Sequence, residues 1–182
     1  MGKYRTVVAY EDYFEHFLDT QPQRIQAKIL QILRIIEEMD VIPEKYLKHI
    51  EGTSGLYEIR AAFGRNQLRI FCCFDEGKIL TQKNKPMNTK TLSQLEEKYI
   101  GPVGSAERNR YEKELADLMI GQHIREGRLR LDMTQEQLAE RVGKKREFIS
   151  RIEHDGSNLT IKTLRDIVET GLGGTLKVEM VF

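Results

Sequence analysis

Apolar positions follow two different rules along this chain. Up to about residue 82 they combine short helical stripes with β-type runs, and from Ser105 onward they recur almost throughout at helical spacing. The first part opens with a β-prone run, Tyr4 to Tyr10. A helical pattern follows with Phe14, Phe17 and Leu18. Pro22 suits a helix start, and the next helix carries Ile25, Ile29, Ile32, Leu33 and Ile36 on one stripe before Pro43. Three runs of strand character come next, Leu56–Ala62, Gln67–Phe74 and Lys78–Gln82. Gly64–Asn66 and Asp75–Gly77 have the composition of hairpin turns. The order β-α-α-β-β-β predicts an α+β domain with its helices on one face of an antiparallel sheet.

Residues 84–104 read as a junction between a domain over 1–83 and another over 105–182. Proline and glycine break it at Pro86 and at Gly101-Pro-Val-Gly104, around a short helical piece from Thr91 to Tyr99. Ser105 is a fair N-cap for a long helix that runs to about Glu126. Thr134 and Gln137 form a capping-box pair at the start of the next helix. Met133–Val142, the turn at Gly143 and Lys144–Gly156 then read as two short helices joined tightly, the working part of a helix-turn-helix DNA reader. A further helix spans Thr160–Val168. Gly171-Leu-Gly-Gly174 stops it, and Thr175–Phe182 alternates as a closing strand. The expected whole is an α+β domain followed by a mainly α domain that ends in a strand.

Composition changes this picture little. A net charge of +1 does not announce nucleic acid, but local charge does: Arg141, Lys144, Lys145, Arg146 and Arg151 face one acid, Glu147, within 141–151. No apolar run approaches the roughly 20 residues of a membrane span, and the N-terminus has no signal-peptide pattern, so a cytoplasmic protein is expected. Cys72 and Cys73 are adjacent in a strand pattern and point to opposite faces. That reads as reduced, buried thiols rather than a bridge or metal site. No cofactor is implied.

The recognition helix puts its first residues against base edges and its flanks against phosphate. Lys144, Lys145, Arg146, Glu147 and Arg151 are the candidate DNA contacts, since Arg grips guanine with two hydrogen bonds and Glu accepts from cytosine. Ile149, Ile152, Leu138 and Val142 are expected in the core. With Gly127-Arg128, Met133-Thr-Gln-Glu-Gln-Leu-Ala, Val142-Gly143, Ile149-Ser-Arg-Ile-Glu153, Gly156 and Leu172-Gly-Gly-Thr-Leu-Lys-Val, residues 112–182 resemble the Xre/Cro helix-turn-helix regulators and, within them, HigA-type antitoxins. The resemblance implies that Gln135 anchors a phosphate and that Arg128 and Glu153 form a buried structural salt bridge. It implies operator DNA as the partner, read by a homodimer. A terminal strand needs a partner edge, and the same strand of a second copy would supply it.

Lys45-Tyr-Leu-Lys48, Leu56-Tyr-Glu-Ile-Arg60, Arg69-Ile-Phe-Cys-Cys-Phe-Asp-Glu-Gly77 and Thr81-Gln-Lys83 make residues 4–83 similar to RelE/HigB-type toxins of the Gp49-like branch. Such toxins cut mRNA on the ribosome. The resemblance places Arg60 and Arg69 at positions of catalytic cations, with Arg65 in reach of phosphate and Glu58 where a relative carries lysine. His49 is a lone histidine in a loop. In the family a basic segment and a C-terminal helix follow the last strand. Here the antitoxin-like part is taken to begin at Met87, so the toxin half is expected to be truncated.

Three functions compete on this reading. One is a toxin–antitoxin protein that binds and autoregulates its operon, its toxin half neutralised or inactive. Another is a ribosome-dependent mRNA endonuclease held inhibited by its attached antitoxin, in which the helix from Ser105, striped by Tyr111, Leu115, Leu118 and Met119, is the cover. The third is a non-enzymatic regulator whose N-terminal domain binds a partner, a toxin or antitoxin in cis or in trans. The proximity of Gln82 to Met87 also fits two separate chains joined, by nature or by engineering.

Overall fold

The computed structural model describes residues 4–10, 12–64, 66–75, 78–80 and 89–179. They cluster as two compact units that divide between Tyr111 and Glu112. The first contains β1 (Thr6–Tyr10), α1 (Tyr13–Asp19), α2 (Gln23–Glu38), β2 (Leu47–His49), β3 (Leu56–Phe63), β4 (Asn66–Asp75), β5 (Lys78–Leu80), β6 (Thr89–Thr91) and α3 (Leu92–Tyr99). One sheet orders them β2-β3-β4-β5-β1-β6. Neighbours are antiparallel except β1 and β5, where Val7 pairs Ile79 in parallel.

α2 buries Ile29, Leu30, Ile32, Leu33, Ile35 and Ile36. The buried sheet positions Val7, Ala9, Ile59, Ala61 and Cys72 alternate with more exposed neighbours, as a sheet covered on one face requires. Cys73 points the other way, and burial first, then Cys73, pushes the Cys72 thiol up to about 12.

Several expectations change here. Residues 47–49 are a strand, not a loop, so His49 sits in a ladder opposite Tyr57. A run of three residues carries too little alternation to reveal it. The described part of the supposed junction, residues 89–104, belongs with the domain: β6 pairs with β1, Ala9 opposite Lys90. α3 starts at a capping box between Thr91 and Gln94 and buries Leu92 and Leu95 completely. A helix, α3, thus follows β6, and the contacts divide the chain at Tyr111. Gln82 and Met87 lie outside the described residues.

Buried charge holds this C-terminal part in place. Glu96 is fully buried on α3. Its Oε1 accepts from Arg34 Nε at 3.0 Å and from the Tyr111 hydroxyl at 2.8 Å. Its Oε2 accepts from Arg108 Nη2 at 2.8 Å and from Arg34 Nη2. Arg34 also reaches Glu37, whose other oxygen accepts the Val7 amide at 3.0 Å. Burial, and then the Glu96 carboxylate, drives the Tyr111 hydroxyl well above its ordinary value. On the other side Glu15 of α1 takes ammonium groups from Lys90 and Lys98. Burial raises the Glu15 carboxyl, and the two lysines more than offset it, leaving it below its ordinary value.

The long helix α4 (Ala106–Arg130) belongs to the first unit through Tyr111, Arg108 included, and to the second from Glu112. Ser105 Oγ accepts the Arg108 amide at 3.2 Å and caps it. The second unit adds α5 (Gln135–Arg141), α6 (Arg146–His154) and α7 (Ile161–Arg165), which runs on as a π-helical turn over Asp166–Gly171. Ile124, Met133, Leu138, Ala139, Ile149, Ile152 and Ile167 form its core. Two glycines let α4 approach the end of α6 backbone to backbone. A Cβ at Gly121 would overlap the Ile152 carbonyl, and one at Gly156 the Asp117 carbonyl. The expected closing strand is absent among the described residues: Thr175–Glu179 have no ladder partner, and Val178 is 58% exposed. Residues 180–182 of that stretch lie outside the described residues. A lone strand has no ladder to join within its own helical unit.

Removing the hub carboxylate takes a shared partner from two buried guanidinium groups, Arg34 and Arg108. Glu96→Ala lowers the stability of the first unit by about 3–5 kcal/mol. All seven tyrosines of the chain lie at or before Tyr111, so tyrosine fluorescence during urea unfolding reports on this unit alone; an unchanged midpoint would mean that the cluster holds nothing.

Candidate nucleic-acid interface

The recognition helix is built from the turn outward. Thr134 Oγ1 accepts the Gln137 amide at 3.2 Å, and Gln137 Oε1 accepts the Thr134 amide at 2.8 Å, which starts α5 at a fixed point. Gly143 turns the chain at φ 62°, a left-handed conformation that favours glycine. The Lys144 amide then closes back on the Ala139 carbonyl at 2.9 Å. α6 begins at Arg146 with Lys145 as its N-cap, and no side chain occupies its first amides. Ile149 and Ile152 face the core, leaving Lys144, Lys145, Arg146, Glu147, Ser150 and Arg151 exposed.

A buried ion pair sets the height and roll of that helix. Arg128 Nε and Nη2 donate to the two oxygens of Glu153 at 2.6 and 2.9 Å, and Nη1 donates to the Met133 carbonyl at 2.6 Å. Both residues are buried. Gln122 Nε2 donates to the Glu153 carbonyl at 2.8 Å. Gln135, expected as a phosphate anchor, also turns to this cluster: its Nε2 donates to Glu153 Oε2 at 2.9 Å. Its position one residue into α5, beside the end of α6, puts the carboxylate in reach. The pair thus joins α4, α5 and α6.

Phe148 brings two of these cations to one ring, which charge counting missed. Lys144 Nζ lies 5.7 Å and the Arg151 guanidinium carbon 5.4 Å from its ring centroid. The signal was present as spacing, with one cation four residues before the aromatic and another three after it. Gly143, Lys144, Lys145, Glu147, Phe148 and Arg151 line one open concavity.

In the first unit the expected cations gather on the sheet face away from the helices. Arg60 pairs across strands with Arg69, and Glu58 with Lys48 and Phe71. Glu58 lies between the arginines, 6% exposed. Arg60 Nε donates to its Oε1 at 2.6 Å and Arg69 Nη1 to its Oε2 at 3.3 Å. The Arg60 hydrogen bond, against the opposing effect of burial, holds the Glu58 carboxyl below its ordinary value. Glu58 therefore organises both arginines instead of merely opposing them, while Arg69 and Phe71 stay more than half exposed. Arg65 lies outside the described residues. Lys90 and Lys98 do not join this face; Lys90 shares the face of buried Ala9 and packs on α1 through Glu15. Among the described residues no group of His, Cys, Asp or Glu is arranged to hold a metal ion, and no helix is long and apolar enough to cross a membrane.

Comparison with family models matches residues 16–93 to the phage-derived protein Gp49-like family and residues 124–170 to a helix-turn-helix family. The first match runs through Met87 into α3. No curated protein and no solved structure matches the chain.

Glu153→Ala leaves Arg128 buried without its carboxylate. It lowers the opening free energy of α6 amides by about 3–5 kcal/mol in native-state hydrogen exchange. Glu153→Gln, which retains an acceptor, loses less. Equal exchange in wild type and Glu153→Ala would show the helix to be positioned by packing alone.

Proposed function

From a chain that joins a Gp49-like toxin domain to an Xre-type helix-turn-helix domain, we propose a toxin–antitoxin protein that binds operator DNA as a dimer and autoregulates its own operon in the cytoplasm. The observation that carries this reading is the exposed row Lys144, Lys145, Arg146, Glu147 and Arg151 on a helix fixed from beneath by Arg128 and Glu153. Arg146 and Glu147, at the helix start, are the base readers; Lys144 and Lys145 are phosphate contacts; Arg151, one turn on, serves either surface. Gln135 supports the site through Glu153. The unladdered stretch Thr175–Glu179 supports dimerisation, with the same stretch of a second copy as its partner.

Arg60, Arg69 and Glu58 favour a second reading, ribosome-dependent cleavage of mRNA. A carboxylate beside two cations has the components for accepting a proton from a ribose hydroxyl and for stabilising a charged phosphate. The occupation of both arginines by Glu58 weighs against strong activity, and we assign the toxin-like unit a silent or neutralised state.

Selection from a random duplex pool tests DNA reading by the full chain: one palindromic site is enriched. Arg146→Ala then costs about 1–3 kcal/mol and relaxes one base position, while Lys144→Ala weakens all sequences alike and flattens the salt dependence. A pool without enrichment ends this reading.

Residues 1–111, expressed alone, address the enzyme. Healthy growth with a folded fragment is the expected outcome. Growth arrest with mRNA cleavage that Arg69→Ala abolishes would establish the second reading in its place.

A further inference from the structure

The geometry points to Phe148 as a positioning residue for DNA reading, one that holds the Lys144 and Arg151 side chains in their bound arrangement before DNA arrives. This rests on the DNA-binding reading above. Phe148 has two sides of different character. One packs on the helix-turn-helix core. The other lies in the exposed concavity between Lys144, on the turn before α6, and Arg151, one turn into it.

The two cations have long, rotatable side chains, and ordering each during binding costs affinity. Neither has a carboxylate partner among the described residues, so their donors are unspent. Their contact with the ring, at 5.7 and 5.4 Å from its centroid, restrains them without consuming those donors. A guanidinium stacked on an aromatic face keeps its planar fork free for a bidentate acceptor such as guanine or phosphate. The ring is itself fixed by the core, so the separation of the two charges is set by packing and not by a loop. Phe148 thus contributes to affinity without supplying charge of its own.

Charge and positioning separate experimentally. Binding of the full chain to the enriched duplex is measured by fluorescence anisotropy across a salt series. Phe148→Leu, which keeps an apolar group on the core, weakens binding roughly 5- to 20-fold, the equivalent of two exposed cation–π contacts. Its salt slope stays at the wild-type value because no charge has been removed. Phe148→Tyr restores affinity. In a Lys144→Ala/Arg151→Ala background, Phe148→Leu costs nothing further. An equal loss in both backgrounds, or unchanged affinity in the single variant, overturns the proposal while leaving DNA reading intact. A wild-type chain that enriches no duplex overturns both. Should Phe148→Leu fail to fold, proton NMR of the wild type decides: side-chain signals of Lys144 and Arg151 shifted upfield by the ring support the assignment, and random-coil values overturn it.

Discussion

Arg128 and Glu153 sit 25 residues apart in sequence and almost out of reach of water. Two parallel hydrogen bonds lock the guanidinium to the carboxylate; Arg128 Nη1 also donates to the Met133 carbonyl, and Glu153 Oε2 also accepts from Gln135. Bidentate geometry admits one relative placement of α4 and α6, and Gln135 ties α5 to the same point. A buried pair of this kind is poor evidence of net stability, because desolvation opposes the Coulomb attraction. What it supplies is definition. On the proposed DNA-binding reading, a helix displaced by an ångström would present Arg146 and Glu147 to the wrong edges. The close approach at Gly121 and Gly156 serves the same end, since a Cβ at either glycine would push α4 off the end of α6.

The first unit follows a similar logic with other residues. Glu96 gathers Arg34, Arg108 and Tyr111, and Glu15 gathers Lys90 and Lys98. The first cluster ties α3 to α2, and the second ties α3 and β6 to α1. The sheet face that carries Arg60 and Arg69 is left to Glu58. Arg60 and Arg69 are thereby partnered by a carboxylate within the fold, which separates this unit from the row on α6, where Lys144 and Arg151 lie against the Phe148 ring.

Where the sequence was legible, local chemistry decided. The Thr134–Gln137 box, the glycine turn and the stripe of α2 each depend on residues within a few positions of one another. The helix-turn-helix could therefore be read with its core residues Leu138, Ile149 and Ile152. What escaped was either too short or too distant. β2 and β6 have three residues each, below the length at which alternation means anything. The bond from Arg34 to Glu96 spans 62 residues, and no spacing rule announces it. Without it, the helical piece Thr91–Tyr99 read as part of a junction, and the domain seemed to stop at residue 83. Glu58 was legible as a residue but not as a hub, because its burial depends on which sheet face the helices leave open.

Sequence-specific reading by the row on α6 leaves a defined footprint on DNA. Hydroxyl-radical footprinting of the full chain on DNA upstream of its own coding sequence tests this most directly. The prediction is two protected half-sites related by a dyad, centred about one helical turn apart, roughly 34–36 Å. Protection that spreads evenly along the duplex, or none at low salt, would contradict it.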